Sequence, residues 1–150
     1  MNTRKALLGL VLLGFVVSCV DKSPTTPTPV PVNLTGSWGG DITFQGSPAR
    51  MTWTLAQTGT SVSGPVLVSM PSGTVLLNGF LTGPLSDSTL TYVISVGQGG
   101  IPTQVSCAGQ LAGTMTATIG VVSTLVGSSA VTSSNCTAPF PVGALTLTRQ

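Results

Sequence analysis

Thr89-Leu90-Thr91-Tyr92-Val93-Ile94-Ser95-Val96 is the stretch whose reading decides the fold. Leu90, Tyr92, Ile94 and Val96 alternate with Thr91, Val93 and Ser95, a period of two that turns one apolar face toward a core. The same rhythm continues in both directions. Upstream, Trp38, Gly40, Ile42 and Phe44 share a face, with Asp41 and Thr43 on the other. Met51, Trp53 and Leu55 alternate with Thr52 and Thr54; Val62, Gly64, Val66 and Val68 follow, then Val75, Leu77 and Leu81. Downstream come Val105, Cys107, Leu111, Met115 and Ile119, with Thr114, Thr116 and Thr118 opposite. A weaker segment around 123–131 precedes Leu145 and Leu147, which Thr146 and Thr148 flank. Turn-forming residues separate these runs: Gln45-Gly46-Ser47-Pro48, Thr58-Gly59, Met70-Pro71-Ser72-Gly73, Ser86-Asp87-Ser88 and 97–102. The pattern predicts an all-β domain of about eight antiparallel strands without a helix. An up-and-down β-barrel suits it, because closure removes exposed edges; a two-sheet β-sandwich is the alternative.

Composition narrows the chemistry. Of 150 residues only 5% are charged, and His and Glu are absent. Without His, the commonest general base and imidazole metal ligand are missing. The basic residues are Arg4, Lys5, Lys22, Arg50 and Arg149; the acidic ones are Asp21, Asp41 and Asp87. Arg4 and Lys5 belong to a removable leader, so the remainder is neutral. A neutral body has no basic patch for phosphates, which argues against nucleic-acid partners.

Residues 1–5 form a short positive segment and 6–17 an uncharged apolar run. As a helix that run reaches about 18 Å, short of a hydrocarbon core of about 30 Å, so it reads as a signal peptide rather than a span. It ends in Val16-Val17-Ser18-Cys19, which resembles the lipobox of bacterial lipoproteins. The resemblance implies cleavage after Ser18 and diacylglyceryl and acyl (palmitate-type) modification of Cys19, an anchor that needs no transmembrane helix. Two or more acyl chains hold a protein stably at a bilayer. Val20 in place of Asp after the cysteine implies, by the family's sorting pattern, the outer membrane. Residues 20–33 read as a tether, with Pro24, Pro27, Pro29 and Pro31 favouring an extended polyproline chain of roughly 40 Å. The expected organisation is a leader at 1–18, lipidated Cys19 and tether to 33, and a β domain at 34–150.

Removing Cys19 leaves Cys107 and Cys136, which should pair in an oxidising compartment. Two buried free thiols are the other reading. A metal site is poorly served, because two Cys without His cannot complete a tetrahedral shell. No cofactor is expected.

Leu34-Thr35-Gly36-Ser37-Trp38 is similar to the opening strand of calycins, the lipocalin and avidin superfamily, where Gly-x-Trp begins the first strand. The resemblance implies that a late Arg packs over that Trp at the closed end of the barrel, a place for Arg149. An exposed Arg149 at a frayed terminus is the other reading. Avidin-like biotin binding does not follow, since two Trp and one Tyr cannot supply its aromatic cage.

Catalysis has little to work with. Serines lack a His, and Asp41 and Asp87 are the only carboxylates of the domain, so no enzyme is expected. The Thr-x-Thr runs read as the solvent faces of strands. Two function classes stay open for a membrane-anchored envelope lipoprotein. In the first, the barrel holds a small apolar ligand or lipid in a cavity lined by Trp38, Met51, Trp53, Leu55, Tyr92 and Ile94. In the second, a filled core makes it a structural or interaction module. The first is the favoured reading; a cavity of about 300 Å³ or more, open at one end, would support it, and an interior filled by side chains would support the second.

Overall fold

The computed structural model describes residues 32–137 and 140–150. The leader, Cys19 and the tether as far as 31 lie outside the described residues. Eight strands follow one another: β1 Gly36–Phe44, β2 Ser47–Thr58, β3 Ser61–Ser69, β4 Val75–Ser86, β5 Thr89–Val96, β6 Gly109–Thr118, β7 Thr124–Ser134 and β8 Gly143–Arg149. Each pairs antiparallel with the next, and β1 pairs with β8, so the sheet closes into an up-and-down barrel. The sandwich is thereby excluded.

Alternation decides what fills the barrel. β5 runs exposed–buried without a break, and Leu90, Tyr92, Ile94 and Val96 all point inward. Trp38, Met51, Trp53, Leu55, Val66, Leu111, Met115, Leu125 and Leu147 join them in one apolar core. Close coiling of the wall requires glycine on that inner face: a Cβ at Gly113 would lie 1.9 Å from the Ser128 carbonyl oxygen, and one at Gly83 2.0 Å from that of Thr91.

The two ends differ. At the amino pole, where Val32–Thr35 leads into β1, the β2–β3 and β4–β5 turns are two residues each and the β6–β7 turn spans 119–123. Asp87 takes a left-handed φ of 54° in the second of these, a conformation Asp tolerates. At the loop pole, Gln45 and Gly46 (φ 51° and 78°) form one tight hairpin, with both φ values positive as type I′ turns require. The other loop-pole connections are long, at 70–74, 97–108 and 135–142.

Simple alternation misreads four places, one of them Ile119, which lies past the end of β6 and is 47% exposed. Val75 is 38% exposed, because the β3–β4 register shifts between Val68 and Ser69 and Ser69 then faces Val75. Val105 is 69% exposed, since it and Cys107 belong to the loop before β6 rather than to the strand. β7 is eleven residues long, stronger than its Ser- and Gly-rich sequence implies, because both neighbours pair with it.

Candidate functional site

Closure of the barrel depends on a short seam. β1 meets β8 through Trp38 opposite Arg149 and Gly39 opposite Thr148. Arg149 lies over the Trp38 ring at 4.7 Å from its centroid, and its guanidinium also donates to the Asn33 carbonyl. Such a cation–π contact contributes about 0.5–2 kcal/mol. Trp38 Nε1 donates to the Leu34 carbonyl (2.8 Å), so the buried indole has its partner. Gln57 fixes the incoming chain, accepting from the Leu34 N–H (2.8 Å) and donating to the Val32 carbonyl (3.1 Å). Val32, the first of the described residues, already packs on the core.

Outside the seam, Arg50 crosses Gly39. It donates to Asp41 Oδ1 (3.1 Å) and to Gln150 Oε1 (2.7 Å), tying β2 to the last residue. The Arg50–Asp41 pair is exposed and contributes little by itself. Regular β1–β8 pairing ends at Gly39; Gly40 still lies close against the Thr146 carbonyl, and past it the two strands separate toward the loop pole. A cleft of about 460 Å³ opens there, between Asp41–Thr43 of β1 and Gly143–Leu145 of β8, with Met51, Ser129 and Pro141 behind it.

Met51, Ser129, Pro141 and Leu145 also border an inner crevice shared with Trp53, Tyr92 and Ile94. Four of the six residues expected to line a ligand cavity thus meet at one place: Met51, Trp53, Tyr92 and Ile94. Trp38 and Leu55 do not; both are buried nearer the amino pole, where Leu55 faces Gly36. The crevice has essentially no room for a water molecule, a volume of about 0 Å³. Trp53 and Tyr92 fill it edge to face, with ring centroids 5.0 Å apart. Tyr92 donates its hydroxyl to the Ser128 carbonyl (3.1 Å), and burial pushes its pKa up to about 12. Among the described residues, the buried Trp53 Nε1 has no hydrogen-bond partner. No sequence pattern announces that orphan, because it depends on what faces the indole across the barrel.

Cys107 and Cys136 form a disulfide, which joins the 97–108 and 135–142 loops of the loop pole. Asn135 Oδ1 accepts from the Ala108 N–H (2.7 Å), and Gln104 Oε1 accepts from the Thr137 N–H (2.9 Å) on either side of it. The two carboxylates of the domain are not brought together. Asp41 sits on β1, and Asp87 occupies the β4–β5 turn on the opposite side of the barrel. Among the described residues, no group of three or more Cys, Asp, Glu or His converges on a metal-sized site. No helix of the described residues is long and apolar enough to cross a membrane.

Comparison with known families, with curated proteins and with solved structures finds no match for this chain.

Proposed function

We propose that this chain is a lipid-anchored, non-catalytic protein of the bacterial cell envelope, placed at the outer membrane through acylated Cys19. Its barrel acts as a filled body that engages envelope partners through the loop pole. The observation that carries this reading is the interior: Trp53, Tyr92 and their neighbours leave about 0 Å³ for a guest. Polarity supports a body outside the bilayer. The inward face is apolar, and the outward face is built largely of Thr and Ser, such as Thr52, Thr54, Thr91, Thr114 and Thr116. A barrel that crosses a membrane needs the reverse, an apolar band outside. The arrangement at the poles adds direction. Val32 enters at the amino pole, so a tether rooted there sends the disulfide-linked loops away from its anchor. Gly36-x-Trp38 and the Arg149 stack are the features that support a calycin-like relationship.

Flotation of the full chain on lipid vesicles tests the anchor. The processed protein should float and Cys19→Ala should not; equal flotation of both would refute lipidation at this residue.

A second reading, a barrel that carries a small apolar ligand, draws on one observation: the unpartnered Trp53 Nε1 beside a crevice that backs onto the seam cleft. A ligand with a single acceptor atom would satisfy that donor, at the cost of opening the crevice. Native mass spectrometry of the protein as extracted from its membrane separates the two. A mass equal to polypeptide plus acyl chains supports the filled body, and a stoichiometric non-covalent adduct supports the carrier.

A further inference from the structure

The β6–β7 turn carries apolar side chains that the fold does not use. Val121 is fully exposed, Val122 is 67% exposed and Ile119 47% exposed, and residues 119–123 contain no charge. The turn is nonetheless well formed. The Ser123 hydroxyl, itself buried, donates to the Gly120 carbonyl (3.3 Å) and accepts from the Gly120 N–H (3.4 Å). That clip leaves Val121 and Val122 displayed rather than tucked against the core.

Position gives the display its meaning. The turn lies at the amino pole, and one residue links it to the root of the tether. Arg149 donates its backbone N–H to the Ser123 carbonyl (3.0 Å) and its guanidinium to the Asn33 carbonyl. Twelve residues, 20–31, separate Cys19 from Val32, the first described residue, which lies at this same pole. We propose that the turn at Ile119-Gly120-Val121-Val122 seats in the surface of the lipid bilayer that holds Cys19, so that the barrel stands on its amino pole. This rests on the lipid-anchor reading above.

The surroundings fit an interfacial contact. Arg149, whose backbone N–H bonds the turn at Ser123, is exposed at this pole, so its side chain can meet headgroup phosphates. Asp87 stands on the adjacent β4–β5 turn, which Ala117 holds by donating to the Ser88 carbonyl (2.7 Å). One cation and one anion at this pole cancel, so the contact is driven by apolar burial and should respond weakly to salt. The attraction of a few apolar side chains is modest for a freely diffusing protein. A tether of at most roughly 40 Å, lying along the surface once the turn is seated, keeps the turn at high local lipid concentration, so a modest attraction is enough.

The test uses the full acylated chain carrying Val121→Trp, bound to phosphatidylethanolamine–phosphatidylglycerol vesicles with brominated acyl chains. The native Trp38 and Trp53 are buried in the barrel and give an unquenched background. Emission from the added indole should fall by about half relative to unbrominated vesicles, as for a side chain at the headgroup–acyl boundary. Val142→Trp, an exposed position at the loop pole, should be unaffected by bromination. Flotation without quenching at 121 overturns the seating and leaves the anchor standing, as does equal quenching at 121 and 142. Failure of the parent chain to float overturns the anchor and the seating together.

Discussion

The two poles of the barrel are closed by different means. At the amino pole, closure is local and side-chain driven: two-residue turns, the Arg149–Trp38 stack, and Leu34 and Val32 held down by Gln57. At the loop pole, β1 and β8 part company after Gly40, a cleft of about 460 Å³ opens, and a covalent bond restrains the loops instead. The contrast shows how a sheet can be sealed where its strands pair, and strapped where they diverge. It also divides roles. Val32 enters at the sealed pole, and the strapped pole carries the longest connections, 97–108 and 135–142.

The largest expected effect falls on the strap. Replacing both Cys107 and Cys136 by Ser should lower unfolding stability by up to about 3.6 kcal/mol on the chain-entropy estimate, read from the urea midpoint. Amide exchange should accelerate across 97–108 and leave the Trp38–Arg149 pairing protected. Equal acceleration at both poles would dissolve the distinction between them.

Next comes the crevice behind the cleft. Burial holds the Tyr92 pKa at about 12, against about 10 in an unfolded chain. The folded state therefore keeps this proton more tightly than the unfolded state. The associated stability is complete below pH 10 and drains away as pH rises toward 12. The loss should approach about 2–3 kcal/mol at the top of that window. Tyr92→Phe should flatten the dependence in a urea series across those pH values. An unchanged slope would mean that Tyr92 reaches solvent through the cleft.

The smallest effect concerns the seal. Arg149→Ala should cost about 0.5–2 kcal/mol through loss of the contact over Trp38. Trp38 emission should shift to the red as the ring gains access to water. Lys at 149 should recover part of the stability, because it restores the charge without the planar stack. A variant as stable as the parent would show that backbone pairing alone closes this pole.

Much of the architecture was legible because β alternation is a local signal. Leu90, Tyr92, Ile94 and Val96 need only their immediate neighbours to announce which face is buried. The legible part fails where register slips or a strand ends early, as at Val75 and Val105. Of the expected cavity lining, the residue types were read correctly as inward. Whether they enclosed space was not, since that depends on how Trp53 of β2 and Tyr92 of β5 lean on each other. The seam cleft left no trace either. Asp41–Thr43 and Gly143–Leu145 each read as ordinary strand, and only their failure to meet creates the opening.

By itself the sequence determined the all-β character, the number of strands, the inward faces and the two cysteines able to pair. These follow from period-two patterning and from counting, which act within a few residues. Tertiary structure alone decided for the expected barrel over the sandwich, and that the core is filled. It also decided between a stacked and an exposed Arg149, and brought Asn33 and Ser123 to the same pole. Those outcomes join residues as much as 116 positions apart. Coiling, register and side-chain volume settle them together, and none can be read from one strand at a time.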